Sequence, residues 1–126
     1  MKVWKAKAFA RWARKEGLDD DDLLQAADEI ASGLFEGNLG GDIVKKRVAR
    51  AGGGKRGGFR TIVAYRSASS SRLFFLHGFA KNAKADVTPK EKAALQTNAG
   101  VLLGLSGQQL KQLEIQGDLI AVRRIK

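Results

Sequence analysis

The apolar positions keep a helical period over the first third of the chain and then change to the alternation of strands. Between Lys5 and Glu16, Phe9, Trp12 and Ala13 share one face of a 3.6-residue repeat set among Lys and Arg, and Gly17 stands where such a helix stops. Leu23, Ala27, Ile30 and Leu34 carry a second helix at i, i+4, i+7 and i+11, ended by Gly33 and Gly37. Its start holds four consecutive aspartates, Asp19 to Asp22, whose charge suits the positive end of a helix. Adjacent residues on a first helical turn splay apart, so the run reads as a cap and not as a cation site.

Gly37 to Asp42 reads as a glycine-rich turn into three strands, at about Ile43 to Arg50, Phe59 to Arg66 and Leu73 to Ala80. The third is almost continuously apolar, which predicts a buried place near the middle of the sheet. Thr88, Pro89 and Glu91 supply a hydroxyl cap, a proline at the first helical position and a carboxylate three residues after the cap. A third helix therefore runs from there to about Leu103. From Ser106 the pattern predicts a short helix to Gln116 and a last strand from Leu119 to Ile125. The fold class expected is α+β: N-terminal helices packed on a small antiparallel sheet, with a further helix after the third strand, in one domain over residues 1–126.

A chain of 126 residues with 44% apolar side chains has a modest core to bury. The absence of cysteine excludes disulfides and thiolate metal sites and fits a reducing compartment. No apolar run reaches the length of a membrane span, and the N-terminus lacks the apolar core of a secretory signal, so a cytoplasmic protein with no membrane partner is expected. Charge changes the picture further. Residues 42–92 carry thirteen basic and three acidic side chains, a net of +10, against −2 for residues 1–41 and +2 for residues 93–126. A positive field concentrated in one piece of the fold attracts polyanions and speeds their encounter with the protein.

The loop Ala51 to Gly58 holds five glycines with Lys55 and Arg56. Gly52, Gly54 and Gly57 have the spacing of a dinucleotide-binding fingerprint, but the strand-like Phe59 to Arg66 follows where that fingerprint needs a helix N-terminus. No cofactor is expected there. A hairpin-like connection that brings backbone amides and two cations to a phosphate fits better, beside the plainer reading of a solvated loop.

Leu39-Gly40-Gly41, Lys45-Lys46-Arg47, Gly54 to Thr61, Gly78-Phe79-Ala80-Lys81-Asn82 and Thr88-Pro89-Lys90-Glu91, in that order, resemble the pattern of RelE-like toxins of the HigB group, in the RelE/ParE superfamily of type II toxin-antitoxin systems. The likeness runs to the third helix, and the last twenty residues match poorly. It implies N-terminal helices on a small antiparallel sheet, cleavage of messenger RNA on a translating ribosome, and a cognate antitoxin as partner. Relatives that use an aromatic or histidine after the lysine loop or near the C-terminus differ from this chain, which has Asp86 and Val87 there and Arg123 and Arg124 in its tail.

Cleaving RNA without a metal requires the 2′-hydroxyl to attack the neighbouring phosphate, and fixed cations stabilise the charge that builds on the phosphoryl oxygens. Arg60 is the first candidate, since it follows the glycine loop and its planar fork suits bidentate phosphate contact. Arg47 and Lys81 reach the same end of the sheet if the three strands pair in order as antiparallel neighbours. A lysine among other cations, Lys81, Lys84, Lys45 or Lys46, can carry a proton near neutrality. His77 is an alternative acid or base, or else a hydrogen-bonded sheet residue; strand alternation puts it on the face of Phe79 and Lys81. Lys45, Lys46, Arg50, Lys55, Arg56 and Lys84, with Arg66 and Arg72, are assigned to messenger or ribosomal RNA phosphates, and Tyr65 to core or base stacking. Two other readings stay open. One is a ParE-like poison of DNA gyrase without nuclease activity, the other a non-catalytic nucleic-acid-binding module.

Overall fold

The structure is a computed structural model that describes residues 1–49, 58–66, 71–80 and 86–124. Among the described residues it has six strands and four helices. They run β1 (Lys2–Ala6), α1 (Lys7–Glu16), α2 (Asp20–Ala31), β2 (Gly37–Gly40), β3 (Ile43–Val48), β4 (Phe59–Tyr65), β5 (Arg72–Ala80), α3 (Pro89–Leu103), α4 (Gly107–Gln116) and β6 (Leu119–Ala121). The strands form one sheet in the order β2-β3-β4-β5-β1-β6, antiparallel except for the parallel pair β1 and β5. The fold is α+β, with a helix after the third of the strands expected from sequence.

Local chemistry sets the helix ends. Gly17 closes α1 at φ 79, a left-handed conformation that glycine adopts without a Cβ penalty. Asp19 caps α2 reciprocally with Asp22: each carboxylate accepts from the other's backbone N–H, at 2.9 and 3.0 Å. Thr88 and Glu91 do the same for α3, and Ser106 and Gln109 for α4.

Three expectations change. The first helix begins at Lys7, because Lys2–Ala6 is a strand whose Val3 and Trp4 are buried on opposite faces of the sheet. The second helix stops at Ala31, and Leu34 stands 61% exposed beyond Gly33, which turns the chain at φ 88. The glycine-rich turn is partly a strand, β2, paired with β3 through an irregular register.

The sheet separates two apolar layers. Phe9, Leu23 and Ile30 of α1 and α2 pack on Val44, Val63 and Phe75. Ala99, Leu102 and Leu110 of α3 and α4 pack on Ile43, Ile62 and Phe74. β5 lies between β4 and β1 and is buried on both sides, as its continuous apolar run predicts. A register shift between Ile62 and Val63 puts both Leu76 and His77 against that point of β4, and this bulge sets where the polar end of the strand begins.

Candidate functional site

Pairing in order, β3 and β4 carry Arg47 and Arg60 to one end of the sheet, and the strands sort their basic residues by face. In the β3 and β4 ladder Arg47 lies directly opposite Arg60, Lys46 opposite Thr61 and Lys45 opposite Ile62. Val44, Lys46 and Val48 alternate toward α1 and α2, which leaves Lys45 and Arg47 on the α3 side with Arg60. Phe79 and His77 of β5 pair with Arg60 and Ile62 and share that side. Their rings are 5.7 Å apart and tilted by 41°. Tyr65, at the other end of β4, packs against the α1 and α2 core.

Arg47 is exposed, and its guanidinium lies over Gly58, where a Cβ would stand 3.0 Å from Nε. A glycine there permits the close approach. The Arg47 backbone N–H donates to Oε1 of Glu36 at 2.5 Å, so a carboxylate just ahead of β2 pins the strand that carries the guanidinium. Arg60 is half-buried, and its Nε is buried without a hydrogen-bond partner among the described residues. Two like charges set directly across a ladder, roughly 5 Å apart at Cβ, destabilise the pairing of those strands. Their repulsion is relieved when an anion lies between them.

Asp86 balances part of this charge. Lys45 Nζ donates to its Oδ2 at 3.0 Å, and the Val87 N–H donates to its Oδ1 at 2.8 Å. The lysine hydrogen bond first, the Val87 bond next, and then the charges of Lys45 and Arg60 hold the Asp86 carboxyl below its ordinary range. Nothing local in the sequence signals this contact, which joins positions 41 residues apart. The run Leu39 to Gly41 is held from the α3 side: Gln96 donates to the Leu39 carbonyl at 3.1 Å, and a Cβ at Gly41 would collide with its side chain at 2.7 Å.

Lys46 is not brought to this face. It is 5% exposed, and its ammonium pairs with Glu29 of α2 at 2.8 Å and donates to the Leu34 carbonyl at 3.0 Å. The expected RNA contact is corrected to a structural ion pair. Strand alternation is the reason, since Lys46 lies between two residues that point the other way. Arg66 pairs with Asp42 at 3.1 Å, at the end of β4 away from Arg60, and Arg72 donates to the Leu105 carbonyl. Arg50, Lys55, Arg56, Lys81 and Lys84 lie outside the described residues. Among the described residues no group of three His, Cys, Asp or Glu side chains is placed to hold a metal, and no helix is long and apolar enough to cross a membrane.

The arrangement therefore presents Arg47, Arg60 and Lys45 on one face, beside an imidazole and an aromatic ring. Such a face can bind a phosphodiester and stabilise added charge on it. The comparison with curated proteins found no match. The family model described as the RelE toxin of the RelE / RelB toxin-antitoxin system matches residues 1–122, beyond α3 and through β6, where the motif likeness alone had lapsed. With nearly all of its length matched, the chain belongs to the RelE toxin family.

Proposed function

We propose that this toxin is a metal-independent endoribonuclease of the HigB group that cleaves messenger RNA on the translating ribosome. As a member of its family it has an antitoxin as partner. The observation that carries the reading is the Arg47 and Arg60 pair, opposed across β3 and β4 on the α3 side of the sheet. In the proposed reaction the 2′-oxygen loses its proton and bonds to phosphorus, the bond from phosphorus to the 5′-oxygen breaks, and that oxygen takes up a proton. The two guanidinia hold the phosphoryl oxygens, where charge accumulates between these events. His77 stands on the same face as a group that can move a proton, and Lys45, paired with Asp86, adds a further cation there. Lys81 remains a catalytic candidate on sequence alone. Arg50, Lys55, Arg56 and Lys84 remain candidates for RNA contacts on the same basis.

The test is induced expression without the partner, followed by mapping of message 5′ ends in the wild type and in Arg60→Ala. New ends within translated codons in the wild type, absent in a folded Arg60→Ala protein, are the expected result. Growth arrest with intact messages and accumulating DNA breaks would overturn the reading in favour of a gyrase poison. Binding to RNA with neither arrest nor cleavage would leave only a binding module.

A further inference from the structure

The sheet ends at β6 with main-chain groups turned outward. The Lys7 N–H donates to the Asp118 carbonyl at 3.1 Å and the Val122 N–H to that of Val3 at 2.9 Å, so Asp118, Ile120 and Val122 turn their main chain toward β1. Leu119 and Ala121 therefore point theirs away from the sheet, where no strand follows among the described residues. The next outward N–H, that of Arg123, donates to Oδ2 of Asp20 at 3.0 Å, and Oδ1 of the same carboxylate holds Lys5 at 2.6 Å. A carboxylate of the protein's own thus stands where the carbonyl of a further strand would accept.

A short edge with cations beside it is an ordinary way to discourage pairing. The two faces beside this edge do not fit that account. On the α4 face a groove runs along Leu119 and Ala121, walled by Lys111, Arg123 and Ile115, which is 72% exposed. On the α1 face a second groove is lined by buried Ala10, Ala13 and Leu18 and by exposed Arg14. The carboxylates of both grooves are engaged: Glu114 accepts from Trp4 Nε1 at 3.1 Å, Asp19 caps α2, and Asp20 holds Lys5. The side chains of Arg14, Lys111 and Arg123 make no ion pair among the described residues.

We infer that the β6 edge is a docking site for an extended acidic segment of a partner protein, which joins the sheet as a further strand. Its main chain pairs with Leu119 and Ala121, apolar side chains enter the two grooves alternately, and flanking carboxylates meet Arg14, Lys111 and Arg123. Charge selects this occupant. A second copy would set the same cations against one another, in a chain of net charge +10. A nucleic-acid strand meets the cations but offers nothing to Ile115 or to the regular main-chain spacing of a sheet edge. β5 and β1 separate this edge from the ladder of Arg47 and Arg60, so strand docking here and cleavage there are separate properties.

The test is fluorescence anisotropy of the full chain with a labelled, end-blocked peptide of three valines between pairs of glutamates, and with the same peptide N-methylated at the valines. Methylation removes the donors and keeps the charge. The proteins compared are wild type, Ala121→Pro, Ile115→Gln, Lys111→Glu with Arg123→Glu, and Arg60→Ala. Ala121→Pro deletes an N–H that β1 does not use, at the kind of edge position where a strand tolerates proline. Saturable binding of the unmodified peptide is expected, weaker by about tenfold or more after N-methylation, in Ala121→Pro and in the charge-reversed protein. Ile115→Gln, at an exposed site that leaves the fold intact, weakens it as well, and Arg60→Ala binds as wild type does. Equal binding of the methylated and unmodified peptides reduces the contact to charge and overturns the inference. Unchanged binding in both Ile115→Gln and the charge-reversed protein overturns it even where Ala121→Pro fails to fold. So does loss of binding in Arg60→Ala alone, which moves the peptide to the cationic sheet face. Absence of saturable binding, with self-association of the chain in sedimentation, overturns it in favour of a second copy; absence of both leaves the edge bare and overturns it too.

Discussion

Arg60→Met separates what the arginine does for the fold from the catalytic role proposed for it. The substitution keeps an unbranched stem of similar length and removes the charge opposite Arg47 together with a buried Nε that has no hydrogen-bond partner among the described residues. Relief of a directly opposed like-charge pair is worth about 0.2–1 kcal/mol, and removal of an unsatisfied buried donor about 1–3 kcal/mol. Against these stands the lost attraction to Asp86, whose side chain is 51% exposed, so that solvent limits it to under about 1 kcal/mol. The balance favours the variant by about 1 kcal/mol, a rise in Tm of roughly 3–5 °C for a chain of this size. Loss of a phosphate-directed cation meanwhile lowers the cleavage rate by about a hundredfold or more. The assay is thermal unfolding at low and high salt, paired with growth on induction. The stability difference should shrink at high salt, where the exposed share of the repulsion is screened. A variant that melts below wild type by more than about 1 kcal/mol would refute the repulsion argument, and one that arrests growth as wild type does would refute the role in catalysis.

Two further outcomes follow from packing and from titration. Gly78→Ala places a methyl 2.2 Å from a ring carbon of Trp12, which is itself held between Phe9 and Phe59, so the urea midpoint should fall by the equivalent of about 1–3 kcal/mol and recover in part when Trp12→Leu is added; an unchanged midpoint would contradict the close approach. Glu29 has its carboxyl pushed below the usual range, first by the Lys46 hydrogen bond and then by that of Gln25. Its contribution to stability is therefore full above the ordinary glutamate range and is lost as pH falls through the lowered folded value. Acid unfolding of wild type should be steeper than that of Lys46→Met, which should still arrest growth because Lys46 faces α2 and not the cationic face; loss of arrest in a folded Lys46→Met would restore this lysine to the site.

Much of the secondary structure was legible because it rests on contacts a few residues apart. The α2 and α3 caps, the stop at Gly17 and the strands of β4 and β5 each depend on neighbours within the same short segment. β1 was not, because five residues that bury a side chain on each face show no alternation, and their partners are Arg72 to Phe75 on one side and Leu119 to Ala121 on the other. β2 was read as a turn because glycines at two of its four positions carry no strand signature.

The sequence by itself determined that a concentrated positive segment would lie on consecutive strands, and that arginines suited to phosphate stood among them. Only the tertiary structure decided which of those cations share a face. Lys45, Lys46 and Arg47 are equivalent as letters, yet a half-turn of the strand per residue sends the middle one to Glu29 and its neighbours to the face of Arg60. Which face is covered by helices with a carboxylate to offer is a property of packing between distant segments, and no run of neighbouring residues encodes it.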